Sequence, residues 1–104
     1  MAELLEPAEV RSALAARPGW TGDVSAISRT AELPSFPAAI AVVNQVADVA
    51  EELNHHPDID IRWRTVTFRC ATHSAGGVTS RDLDLAARID EVLAAAGVGQ
   101  GGDG

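Results

Sequence analysis

The chain has three histidines, and two of them stand side by side in ELNHHPDI, positions 52–59, as His55 and His56 before Pro57; the third is His73. Imidazole gives and accepts protons near neutral pH, so a cluster of histidines offers acid/base chemistry. It also offers a zinc site built from three histidines and a water. Adjacent side chains at a helix end diverge by about 100°, which works against a shared ion. The helical HxxxH and HExxH spacings are absent. Divergent imidazoles better suit two distinct contacts on one substrate. A purely structural reading competes with both chemistries: histidines before a proline can favour the negative end of a helix dipole. Asp82 could orient an imidazole or hold a substrate donor, although spacing alone makes Thr79-Ser80-Arg81-Asp82 a capping-box variant. Cys70 reads as a small core residue. Asp48, Glu51 and Glu52 read as a solvated helix face, with Glu51 and Glu52 close to the cluster.

These residues need elements to position them. PAEVRSALAA, 7–16, predicts a short helix with Pro7 in its first turn and Val10 and Leu14 on one face. Arg17-Pro18-Gly19 ends it. Trp20 opens a weak strand, Asp23 to Ser25 turn it, and a second strand runs over about 26–33. Ser35 caps a long helix with Pro37 in its first turn. Its expected inner face is Phe36, Ile40, Val43, Ala47, Ala50 and Leu53. Pro57 disfavours helix at His56, so the helix stops near Asn54 or His55.

In IDIRWRTVTFRCATH, apolar residues alternate through Ile59, Ile61 and Trp63, and then on the other parity through Val66, Phe68 and Cys70. A change of parity marks a turn. Placing it at Arg64-Thr65 sets Ile59 opposite Cys70, Ile61 opposite Phe68, Trp63 opposite Val66 and Asp60 opposite Arg69 as an ion pair. His56 then faces His73, and the three histidines gather at the open end of the hairpin. Thr79 or Ser80 caps a last helix with Leu85, Ile89, Val92 and Ala96 in one stripe, ended by Gly97. The order helix, two strands, helix, two strands, helix predicts an α+β fold: a four-stranded antiparallel sheet with three helices on one face.

Composition sets the outer limits. With 104 residues and 46% hydrophobic content the chain suits one folded domain, assigned to 1–96, followed by a Gly-rich flexible tail, 97–104. A net charge of −7 argues against nucleic-acid and anionic membrane partners. One cysteine allows no intrachain disulfide, and neither a signal peptide nor a membrane span is legible, so a cytoplasmic protein is expected.

Glu51, His55-His56-Pro57, Trp63, His73 and Asp82 together resemble the motif of the pterin-4a-carbinolamine dehydratases. That motif has an acid shortly before His-His-Pro, an aromatic residue seven positions after the second histidine, a third histidine ten beyond it, and an aspartate in a Gly-rich T/S-x-R-D segment. The resemblance covers most of the chain and is strongest over 51–90. It implies the same α+β fold and an enzyme that removes water from 4a-hydroxytetrahydropterin to give quinonoid dihydropterin, recycling a hydroxylase cofactor. It implies His55 and His73 as the acid/base pair, His56 as a group that binds or orients the pterin, and Asp82 as support for His73 or the substrate. Glu51, Asn54, Pro57, Trp63, Thr72 and Ser74 are the implied substrate contacts. It implies no metal, no cofactor, and a homodimer or homotetramer. The alternatives are a non-catalytic pterin-binding module and a protein-interaction module of the transcription-factor dimerisation cofactor kind. Two departures stand out. Ile59 and Asp60 occupy positions where relatives often carry aromatics, and Trp63 stands where a tyrosine is usual.

Overall fold

A computed structural model describes residues 3–98. The chain runs as helix α1 (Pro7–Ala15), strands β1 (Trp20–Gly22) and β2 (Ile27–Glu32), helix α2 (Phe36–Leu53), strands β3 (Asp58–Arg62) and β4 (Thr65–Cys70), a 3₁₀ turn (His73–Ala75) and helix α3 (Ser80–Ala95). The four strands form one antiparallel sheet, as expected, and their order in it is β1-β2-β4-β3.

The sheet's two faces differ because alternate residues point opposite ways. Ile27, Ala31, Val66, Phe68 and Cys70 are buried and meet Val10, Val42, Val46, Leu85, Ile89 and Leu93 of the helices in one core. The other face is polar; there the hydroxyls of Thr30 and Thr67 lie 2.9 Å apart across β2 and β4. No helix among the described residues is long and apolar enough to cross a membrane.

The helix ends follow their capping residues. The Ser35 hydroxyl accepts the Ala38 N–H at 3.1 Å and opens α2. At its other end Asn54 is left-handed, with φ 50. The Asn54 N–H donates to the Glu51 carbonyl at 3.2 Å and the His55 N–H to the Ala50 carbonyl at 3.0 Å. These two bonds make a Schellman ending. It folds the chain back against the helix and fixes where His55 begins. Gly97 ends α3 in the same way, with φ 86. The Val98 N–H donates to Leu93 at 2.9 Å, and Val98 packs against the core. Gly97 and Val98 thus belong to the folded body rather than to a tail; residues 99–104 lie outside the described residues.

Two expectations need correction. The inner face of α2 is Ala39, Val42, Val46, Val49 and Ala50, while Phe36 is 48% exposed and Ala47 faces outward. Both sets recur at helical spacing, because valine and alanine occur nearly all round this helix. The hairpin register is also shifted by two residues. Ile59 pairs with Phe68, Ile61 with Val66, and Asp58, not Asp60, with Arg69. The Asp58–Arg69 ion pair spans 3.7 Å, while Asp60 pairs with Arg62 at 3.1 Å. The turn is Trp63-Arg64, with Trp63 at φ 56. A neighbouring element holds this unfavourable turn. The Leu33 N–H donates to the Arg64 carbonyl at 2.8 Å, and the Arg64 guanidinium sits 4.8 Å from the Trp63 ring centroid.

Candidate active site

The histidines meet where the end of α2, the start of β3, the 3₁₀ turn and the first turn of α3 converge. An open cleft of about 340 Å³ is lined there by Asn54, His55, His56, Pro57, Asp58, Ala71, Thr72, His73, Ser74 and Arg81. The sequence-based cluster is real in space, but its internal connections differ from those expected.

Asp82 is wholly buried, and its carboxylate works in two directions. One oxygen, Oδ2, accepts the Thr79 N–H at 2.9 Å and the Thr72 hydroxyl at 2.8 Å. The first of these is the capping-box bond that opens α3. The other oxygen, Oδ1, lies 2.5 Å from His55 Nε2. Asp82 therefore holds His55 and not His73. A carboxylate can only accept, so Nε2 carries the proton of this bond. That leaves His55 Nδ1, which bonds to none of the described residues, as the ring's remaining donor or acceptor. The Thr79 hydroxyl lies 2.7 Å from that of Thr72 and accepts the Arg81 N–H at 3.3 Å. Every polar group behind His55 thus has a partner, as a buried network requires.

His56 points away from His55. Its Nε2 lies 2.5 Å from Glu51 Oε2, one helical turn back, and both side chains are exposed. His73 opens the 3₁₀ turn and is exposed. That turn is short and tightly tied. The Thr72 N–H donates to the Gly77 carbonyl at 2.9 Å, and Gly76 closes it at φ 79. A Cβ on Gly77 would stand 2.5 Å from the Val24 carbonyl oxygen, so only glycine lets the loop lie this close. Asn54, Pro57, Thr72 and Ser74 line the cleft. Glu51 reaches it only through His56. Trp63 does not reach it; it is 70% exposed in the turn at the far end of the hairpin.

The sequence reading missed Arg81 and Asp58 as lining residues. Arg81 had a signal. A cation in the first turn of a helix opposes the helix dipole and so invites another explanation. Among the described residues no group of three or more His, Cys, Asp or Glu side chains is arranged to hold a metal ion. Cys70, on β4 beneath the site, has its thiol pushed up to about 12 by burial first and then by the charges of Asp82 and Asp58, which makes it inert at neutral pH.

Residues 3–92 match the family model described as Pterin 4 alpha carbinolamine dehydratase. The chain belongs to the pterin 4 alpha carbinolamine dehydratase family. Similar members include a protein of Nocardia farcinica, provisionally named pterin-4-alpha-carbinolamine dehydratase, which is 59% identical over 90 residues covering 86% of this chain and 95% of its own. A Roseiflexus castenholzii protein with the same provisional name is 55% identical over 93 residues, 89% of this chain and all of its own. The crystal structure of a "transcriptional coactivator/pterin dehydratase" from Brucella melitensis superposes with a TM-score of 0.81 at 33% identity, covering 85% of this chain and 96% of that one. Its likeness bears out the three helices and four antiparallel strands. A "pterin dehydratase-like protein" described as a RuBisCO assembly factor shares the fold alone, at 20% identity and TM-score 0.58 over 70% of this chain and 84% of that one.

Proposed function

We propose that this dehydratase-family chain removes water from 4a-hydroxytetrahydropterin to give quinonoid dihydropterin, in tetrahydropterin recycling, by histidine acid/base catalysis. The observation that carries the reading is the buried Asp82–His55 pair opening onto a cleft that His56 and His73 also line. The reaction breaks the C4a–O bond and forms C4a=N5. An acid must deliver a proton to the departing hydroxyl, and a base must take the proton from N5. His55, backed by Asp82, is suited to the base role, because the carboxylate stabilises the imidazolium that forms. His73, on the turn across the cleft, supplies the acid. The two exchange roles if the substrate presents its other face. His56 and Glu51 orient the pterin ring, whose polar edge meets Thr72, Ser74 and the backbone around Asn54 and Pro57. No step in this scheme requires a cofactor.

Self-association as a homodimer or homotetramer is part of the same reading. Strand β3 is an edge strand, and Ile59 and Ile61 on it are 36% and 37% exposed. An exposed apolar edge invites pairing with another chain. Sedimentation velocity would give a single species of two or four chains, and a monomer would contradict it. A cytoplasmic setting accords with the one free, buried cysteine.

The catalytic reading is tested by following freshly generated 4a-hydroxytetrahydropterin in the presence and absence of the protein. A wild-type rate well above that of buffer is expected. A rate equal to buffer would contradict the reading and favour an interaction role, of the coactivator kind for which the Brucella protein is also named.

A further inference from the structure

Arg81 takes no part in the proposed proton transfers, yet it lines the cleft. Its guanidinium Nη2 donates to the Asn54 carbonyl at 2.6 Å. No carboxylate among the described residues forms an ion pair with it. It projects from the first turn of α3, where a cation opposes the helix dipole. Its target lies at the C-terminus of α2, where the dipole is negative and the carbonyls lack helical partners. Helix α2 has no basic residue in its own last turn. The cation that would stabilise the end of α2 therefore comes from α3.

The bond falls on a sensitive position. Asn54 is the left-handed residue of the Schellman ending, and His55 and His56 follow it directly. Rotation of the peptide after Asn54 would swing both imidazoles. Arg81 holds that peptide by its carbonyl, and the adjacent Asp82 holds the His55 ring by Nε2. Two neighbouring residues on α3 thus fix the backbone before His55 and the side chain of His55.

We infer that Arg81 is a positioning residue, clamping the Asn54 carbonyl so that His55 and His56 keep their catalytic orientation. This inference rests on the dehydratase reading for its effect on rate, while the clamp itself can be observed without activity. The test compares wild type with Arg81→Met, which keeps bulk without donors, and Arg81→Lys, which keeps a charged donor. Amide hydrogen exchange and steady-state dehydration are measured on each. In Arg81→Met, exchange of the His55 N–H is expected to accelerate about tenfold or more, since a hydrogen bond from a charged group is lost, while the Val46 N–H in mid-helix keeps its wild-type rate. The same variant is expected to lose about tenfold or more in kcat, with KM within about threefold, because misplacement acts on the transition state. Arg81→Lys is expected to recover most of both losses. Unchanged His55 exchange in Arg81→Met would overturn the clamp. A rise in KM with kcat held would also overturn it, by making Arg81 a substrate contact. If wild type itself does not exceed buffer, the dehydratase reading fails, and the exchange comparison still decides on the clamp.

Discussion

The proposed chemistry turns on His55 and Asp82, and each answers part of why two histidines share a helix end. Both cannot face the same object. His55 turns inward to a buried carboxylate, while His56 turns outward to Glu51. Asp82→Asn keeps an oxygen for the capping bonds but removes the charge that would stabilise His55 as imidazolium. Its dehydration rate is expected to fall about 10²-fold or more, while stability falls by only about 1 kcal/mol, the scale of a weakened cap. Stopped-flow kinetics and urea unfolding of the same sample would separate the two. A rate loss no larger than the stability loss explains would make Asp82 a cap alone. At Cys70, burial of the thiol predicts very slow reaction of the native protein with a thiol reagent at neutral pH and complete reaction in denaturant; rapid native labelling would contradict it.

At the scale of elements, the local signals and the non-local contacts divide the outcome. The start and end of α2, the N-cap of α3 and the change of parity in the hairpin were legible, because caps, prolines and period-two alternation act over a few residues. The buried face of α2 was not, because Ile40 and Val43 repeat at the same spacing as the buried Val42, Val46 and Val49. The hairpin turn was not legible either. Trp63-Arg64 carries no turn signature, and it is held by contacts with Leu33, some thirty residues earlier in the chain. A shift of two residues preserves each side chain's face, which is why the histidines still gather despite the wrong register. Trp63 suffered most, placed by motif at a site from which the turn removes it. The left-handed ending at Asn54 makes its own prediction. Asn54→Ala is expected to cost about 1 kcal/mol in stability, and Asn54→Gly to cost less, since only glycine adopts positive φ freely. Thermal denaturation of both variants checks this, and equal losses would contradict it.

At the scale of the whole molecule, a second buried polar network joins distant parts of the chain and left no trace in local pattern. Asp90 of α3 accepts from Arg29 of β2 at 2.5 Å, from Arg17 after α1 at 2.9 Å and from the Trp20 indole of β1 at 2.9 Å. Asp90 and Arg29 are both buried. Asp90→Ala removes a buried carboxylate that pairs with Arg29, Arg17 and the Trp20 indole and is expected to destabilise the protein by about 3–5 kcal/mol, measured by denaturant unfolding. A loss below about 1 kcal/mol would show that this network adds little to stability, against the expectation. Alkaline stability follows from Cys70. In the unfolded chain the thiol ionises near its ordinary value of 9.0, and in the fold only near about 12. Between those values the unfolded state releases its proton first, so stability falls as pH rises. Cys70→Ala is expected to lose that component of the alkaline slope, and an unchanged slope would contradict it.

The most direct measurement is the dehydration rate of freshly generated 4a-hydroxytetrahydropterin with wild type, His55→Ala, His73→Ala and the double variant. Acceleration over buffer is expected of wild type, with a loss of about 10²-fold or more in each single variant. The double variant is expected to be little worse than either, because in the proposed scheme the two imidazoles serve one proton-transfer cycle. Full activity in His55→Ala or His73→Ala would contradict the acid/base assignment.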